Sequence, residues 1–310
     1  MLRFDFLNAR NLRHAISLLE RHGDEARAVA GSTDFLVRWR QSGPGRWRPA
    51  FVVNIKGLSG LGRITYSPQN GLRLGALATV QAIETNAQVR RRYQALATGA
   101  TSFAGVQVRN LATVGGNVCN ASPAGDTLPA LLAFDAQCAI VGPEGPRMLP
   151  LTEFFQGPGR TALQQGELLT QLTLPPPTPR TGSIYIKHSP RGAMDIATVG
   201  VASVITLEED GATCKDARIA LGAVGPVPFR ASEAENLLKG RELSPDALGQ
   251  AAEAARNAAT PIDDVRGTAA YRKDMVEALT RRTLQHALRI AGGQRVPFEE
   301  QRRLAVQTAF

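Results

Sequence analysis

Thr113-Val114-Gly115-Gly116-Asn117-Val118-Cys119-Asn120-Ala121-Ser122-Pro123-Ala124-Gly125-Asp126 is the stretch of sequence on which the fold turns. Paired glycines let a backbone approach an anion closely, and the Thr, Asn and Ser around them are neutral donors. Asp126 precedes the apolar run Leu128–Phe134, where it can accept hydrogen bonds from a ribose or a base. The same residues also read as a glycine-rich turn closed by an Asp N-cap, and in isolation the two readings stand level. A second stretch, Val29-Ala30-Gly31-Ser32-Thr33-Asp34-Phe35, is a strand, a glycine turn and a helix start. Such a junction turns backbone N–H groups and the positive end of a helix dipole toward an anion. Ser, Thr and Asp there also serve as plain N-caps. It is neither a Walker A loop nor a GxGxxG turn.

Working outward, the N-terminal segment reads as a βαβ unit. Phe4–Phe6 is a short strand, Leu12, Ala15, Ile16, Leu18 and Leu19 recur at helical spacing, and Gly23 stands where that helix stops. Ala26–Ala30 and Phe51–Ile55 supply two further strands. From Leu58 the pattern turns to hairpins, with Ile64–Ser67 and Leu72–Ala76 flanking Asn70-Gly71. Helical stretches at Thr79–Asn86, Tyr93–Ala100 and Leu128–Phe134 precede a hairpin at Cys138–Leu149 and a strand at Leu168–Leu174. Pro175-Pro176-Pro177-Thr178-Pro179 is a stiff linker. Beyond it lie three antiparallel strands, Ser183–Lys187, Ala197–Leu207 and Ala217–Gly222, then helices at Ala231–Leu238, Pro245–Ala258 and Thr268–Ile290. The architecture is α+β.

Composition excludes several classes. The 310 residues are 43% apolar and 20% charged, which fits neither a disordered chain nor a coiled coil. No apolar run approaches a membrane span, and charges in Met1–Arg10 argue against a signal peptide, so a cytoplasmic protein is expected. Cys119, Cys138 and Cys214 are too dispersed for a zinc or cluster site. The net charge of +9 raises nucleic-acid binding, with short basic clusters such as Arg38, Arg40, Arg46 and Arg48. Aromatics are only 5% and no recognition module is present, so a solvated or partner-facing surface is the better reading.

Taken together and in order, the motifs resemble the FAD-binding subunit of the molybdenum hydroxylases, the xanthine dehydrogenase and carbon monoxide dehydrogenase family. They run from Ala30-Gly31 with Thr33-Asp34, through Phe103-Ala104-Gly105, Thr113–Asn117, Ala121-Ser122-Pro123 with Asp126, and Leu131–Asp135. Tyr185 with Lys187, Asp195-Ile196-Ala197, Gly222–Pro226 and Tyr271-Arg272-Lys273 continue the series. The resemblance implies a two-part FAD-binding domain of the vanillyl-alcohol-oxidase/PCMH type. Its parts are 1–57 and 58–177, and a C-terminal domain, 178–310, follows with a three-stranded antiparallel sheet and helices.

It further implies that Gly31, Ser32, Thr33, Asp34, Thr113, Gly116 and Asn117 face the FAD pyrophosphate. Val29, Ala30, Phe35, Gly115 and Asn120 are further cofactor-binding positions. Asp126 matches a position on the adenosine half, and Phe103 and Ala104 lie beside the isoalloxazine. Tyr185 and Lys187 approach the flavin, where the lysine would stabilise negative charge on the reduced ring. Asp195-Ile196 falls on the loop nearest its reactive edge. No acid, base, nucleophile or metal ligand is assigned, because the cofactor carries the redox chemistry.

The implied partners are a large molybdopterin-binding subunit and a small [2Fe–2S] subunit, arranged as a dimer of heterotrimers. Gly31-Ser32-Thr33-Asp34 departs from the Gly-Gly-His-Ser of the carbon monoxide branch, and the cysteine-rich insertion of 4-hydroxybenzoyl-CoA reductases is missing. Cys119 is therefore expected as a small buried residue beside FAD. A self-contained FAD oxidoreductase and a basic nucleic-acid-binding protein are the rival readings.

Overall fold

The computed structural model describes residues 4–41, 48–192 and 194–305. Arg46 of the basic cluster lies outside them. The N-terminal part is a three-stranded parallel sheet in the order Asp5–Asn8, Phe51–Asn54, Ala26–Val29. Helix Leu12–His22 covers it, capped by the Asn11 side chain and ended at Gly23, where φ is +53°. Its apolar face, Ala15, Leu18 and Leu19, packs with Ala26, Val53, Ile55 and Leu58 into a small core that also takes in Leu77 and Leu168.

The second part is built on a five-stranded antiparallel sheet in the order Ile64–Ser67, Gly71–Gly75, Leu168–Leu174, Gln137–Gly142, Gly145–Pro150. Its central strand therefore arrives from far along the chain. Between the second and fourth of these strands come the helices Val80–Thr85, Ala87–Arg92, Gln94–Ser102, Val106–Leu111, Val114–Asn120 and Leu128–Ala133.

The first half of the glycine-bearing segment, with both paired glycines, is thus the helix Val114–Asn120 rather than a turn. Glycine costs a helix about 1 kcal/mol relative to alanine, and tertiary contacts offset that here. Thr113 caps the Gly116 N–H at 3.1 Å, and the Gly115 N–H donates to the Ala76 carbonyl at 2.9 Å. A Cβ on Gly115 would lie 2.6 Å from Ala76, so only glycine lets the helix sit this close to the sheet. Asp126 is not an N-cap either: helix Leu128–Ala133 starts after Thr127 without a side-chain cap.

The three long strands expected after the proline run are Thr181–His188, Val199–Leu207 and Cys214–Gly222. A short fourth, Phe229–Arg230, extends the sheet. Strand residues alternate between two faces. Gly182 and Ser203 meet helix Ala269–Ala291, since a Cβ on Gly182 would lie 2.1 Å from the Ala287 carbonyl and Ser203 bonds Thr283. Ser183 and Tyr185 meet helix Gln94–Ser102, through the Ala95 N–H and Thr98 Oγ1. With both faces covered, every residue of Val199–Leu207 is buried.

Candidate functional site

A cleft of about 600 Å³ separates the N-terminal sheet from the second part, a size common for cofactor pockets. Strand Ala26–Val29 lies along it. Gly23 and Gln165 stand near the start of that strand, and Gly31 and Thr113 stand at its end. The two glycine segments, distant in sequence, meet here. A Cβ on Gly31 would lie 2.1 Å from the Leu111 carbonyl oxygen, so the first loop rests directly on the chain entering Thr113. Ser32 adopts φ +58°, in the left-handed region that a non-glycine residue occupies only when its surroundings hold it there.

The walls combine backbone amides and hydroxyls with apolar side chains; Arg27 and Arg38 are the lining cations, and Asp24, Asp34 and Glu167 the lining acids. Arg27 is turned back on its own strand, donating from Nη1 to the Asp24 and Ala26 carbonyls. Burial raises the Asp34 carboxyl above its ordinary range, with a hydrogen bond from Thr33 opposing it. Cys119 lines the cleft with its thiol pushed up to about 12 by burial, which leaves it a neutral packing group. Two of these features suit a pyrophosphate-bearing cofactor: glycine openings for close backbone approach and neutral donors.

Of the residues singled out in the sequence, Val29 to Phe35, Phe103, Thr113, Gly115, Gly116, Asn117 and Asn120 all line this cleft. Ala104, Asp126, Tyr185 and Lys187 do not; the last three form a buried network behind it. Tyr185 Oη donates to Asp126 Oδ1 at 3.0 Å, and Lys187 Nζ donates to Asp126 Oδ2 and to the Ser102 carbonyl, each at 3.0 Å. Asp126 therefore sits at the Phe103 end, with both oxygens engaged. Burial drives its carboxyl up to about 6, and the Lys187 charge and the bonds from Lys187 and Tyr185 pull the other way. The Tyr185 phenol is raised well above its usual value by burial and by Asp126. Gly200 makes room for this ring, since a Cβ there would lie 2.5 Å from Tyr185 Oη.

The loop carrying Asp195-Ile196 reaches the same end. Met194, at φ +54°, places its Sδ 3.5 Å from where a Gly105 Cβ would stand, and Ile196 is exposed. Sequence reasoning missed the Gln164–Leu169 wall of the cleft and the Gly23–Ala28 edge facing it. The local signals are two turn glycines, Gly23 at φ +53° and Gly166 at φ +81°, and the wall exists because a strand distant in sequence inserts at the centre of the sheet. Among the described residues no group of three His, Cys, Asp or Glu side chains comes together as a metal site, and no helix is long and apolar enough to cross a membrane.

Comparison with known proteins agrees with this geometry. The family model of the FAD binding domain in molybdopterin dehydrogenase matches residues 2–177, and that of the CO dehydrogenase flavoprotein C-terminal domain matches residues 184–287. The xanthine dehydrogenase FAD-binding subunit of Escherichia coli O157:H7 is 32% identical over 295 residues, 94% of this chain and 99% of that one. The carbon monoxide dehydrogenase medium chain of Afipia carboxidovorans is 30% identical, covering 92% and 96%. Among solved structures, reconstituted CO dehydrogenase from Oligotropha carboxidovorans superposes with a TM-score of 0.87 at 29% identity, over 93% of this chain and 99% of that one. Quinoline 2-oxidoreductase from Pseudomonas putida 86 gives 0.85 at 26%, over 94% and 99%. The chain belongs to the FAD-binding subunits of the molybdenum hydroxylase family.

Proposed function

We propose that this chain holds FAD in the cleft and relays electrons between [2Fe–2S] clusters of a small partner subunit and an external acceptor. Substrate is then oxidised at a molybdopterin centre in a large partner subunit, and the assembly is a cytoplasmic dimer of heterotrimers. When bound, FAD supplies the redox chemistry; the chain's residues bind and orient it. The observation that carries this reading is the meeting of two glycine segments at Gly31 and Leu111, which brings both to one cleft.

In this reading Gly31, Ser32, Thr33 and Asp34 take the pyrophosphate from one side and Thr113, Gly116 and Asn117 from the other. Asn117 is preset for this, because its Oδ1 accepts from Thr127 Oγ1 at 2.6 Å. Phe103 stands beside the isoalloxazine, and Asp126, Tyr185 and Lys187 support that end from behind rather than meeting the adenosine. The division into 1–57, 58–177 and 178–310 fits, since the cleft lies between the first two parts and the buried network joins the second to the third.

Anaerobic mixing tests the relay. The chain loaded with FAD is expected to stay oxidised with a purine or N-heteroaromatic substrate alone and to bleach near 450 nm (about the flavin absorption region) once both partner subunits are added. Bleaching by substrate without partners would replace this reading with a self-contained oxidoreductase. A colourless chain with salt-sensitive DNA binding would replace it with nucleic-acid recognition.

A further inference from the structure

Helix Gln94–Ser102 ends at the cleft, and the carbonyls of its last turn have no partners within the helix. No basic residue of its own stands in that turn. Two buried cations from elsewhere serve instead. Lys187 takes the Ser102 carbonyl, as described. Arg109, on helix Val106–Leu111, folds back so that Nη1 lies 3.2 Å from the Thr101 carbonyl, 3.1 Å from that of Phe103 and 3.0 Å from that of Ala104.

One guanidinium nitrogen thus grips three carbonyls of the four-residue turn that presents Phe103 to the cleft. That turn is strained: Ala104 adopts φ +39°, which a non-glycine residue keeps only under restraint. Arg109 is itself held. Glu84 Oε2 lies 2.8 Å from its Nε and has no other partner among the described residues, while Glu84 Oε1 accepts from Thr101 Oγ1 at 3.3 Å. Gln81 Oε1 also accepts from Nε, at 3.3 Å. Both charged side chains are buried, Glu84 at 4% and Arg109 at 8% exposure.

A buried ion pair adds little net stability compared with an apolar pair of similar volume. This one does not line the cleft, yet every polar contact of its inner end is to the Phe103 turn. We propose that Arg109, locked by Glu84, is the positioning residue that fixes the Phe103–Ala104 turn against the ring end of bound FAD. The planar fork lets Nε face Glu84 and Gln81 while Nη1 faces the carbonyls; a lysine ammonium carries all its donors on one atom and cannot hold both sides at once. The inference rests on the reading that puts Phe103 beside the isoalloxazine.

Three variants of the full chain test it: Arg109→Lys, the uncharged pair Glu84→Gln/Arg109→Gln, and Phe103→Leu as a reference. Each is titrated with FAD and with ADP, and the visible circular dichroism of the FAD-loaded form is recorded. Both Arg109 variants are expected to weaken FAD about tenfold while leaving ADP within about twofold, and to change the flavin dichroism in the same sense as Phe103→Leu. If Phe103→Leu changes the dichroism and the Arg109 variants do not, Arg109 has no positioning role. If Phe103→Leu changes nothing, the placement of Phe103 beside the ring fails first and the inference falls with it. Equal loss of FAD and ADP, or failure of both Arg109 variants to fold, would make the pair a folding element and overturn the proposal. The uncharged pair leaves no orphan charge, so it isolates geometry from the cost of an unpaired ion.

Discussion

Lys187 and Asp126 show how much of this site is set by burial. Each is nearly inaccessible, at 6% exposure, and each neutralises the other across 3.0 Å. The Asp126 carboxyl stands near 6 rather than its ordinary 3.8, so the folded chain holds that proton more tightly than the unfolded one. Stability from this group is therefore greatest below about pH 4, falls as pH rises toward 6, and is level above it. Replacing Lys187 with methionine removes the partner that lowers the carboxyl. The folded-state value then climbs and the falling window extends above 6. Lys187→Met is expected to be mildly destabilising at pH 5 and to cost about 3–5 kcal/mol at pH 8, the range for an orphaned buried charge. Adding Asp126→Asn should recover part of the loss at pH 8. Urea denaturation at the two pH values measures this, and a loss independent of pH would contradict the pairing.

At the scale of elements, the glycine segments do different work. Gly115 lets helix Val114–Asn120 sit on Ala76, whereas Gly31 lets one clasp loop rest on the other. Because a Cβ at Gly31 would press on backbone rather than on a movable side chain, Gly31→Ala should push the loops apart. The expected result is an FAD affinity at least about tenfold weaker, with a stability loss of only about 1–3 kcal/mol. Isothermal titration and urea denaturation check the two parts, and unchanged FAD affinity would remove Gly31 from the clasp. That the two segments could face one ligand was legible in the sequence because their chemistry is local: glycines, hydroxyls and an amide in short runs, which the fold brings to one cleft. The parallel βαβ start and the Asn70-Gly71 hairpin were legible for the same reason. The helix at Val114–Asn120 was not, because its stability comes from Ala76 and Thr113 rather than from helix propensity. Helix Phe298–Ala305 escaped too: only Gln301 and Ala305 of its eight residues are buried, and Phe298 is held through Arg90, 4.3 Å above its ring. The roles of Arg109 and Glu84 are invisible in sequence, since a charged residue on a short helix reads as solvated surface until its partners are located.

The whole molecule is unevenly knit. The C-terminal sheet shares its core with the second part: Tyr185, Ala202, Val204 and Ala220 pack in one cluster with Leu96, Leu128 and Leu131. Ion pairs reinforce that junction, with Asp135 meeting both Arg218 and Arg230, and Arg230 also meeting Glu235. The N-terminal sheet is joined more lightly, through Leu77 and Leu168 in its small core and through Gly31 on Leu111. A part of this size buries too little surface for much stability of its own. A cofactor held between the two bodies would add to the stability of their union by about 2.7 kcal/mol at one hundred times its dissociation constant. The chain carries its own reporter, because Trp39 and Trp47 are its only tryptophans and both precede residue 57. Trp39 stacks on Phe35 and meets Phe4 edge-on, contacts that unfolding of this part would break. Without FAD, tryptophan fluorescence should change at lower urea than the far-ultraviolet circular dichroism, which is dominated by the larger body. With saturating FAD the two curves should merge and shift to higher urea. Coincident transitions in the absence of FAD would show that protein contacts alone couple the two halves of the clasp. FAD would then be a ligand of a preformed cleft rather than the joint that closes it.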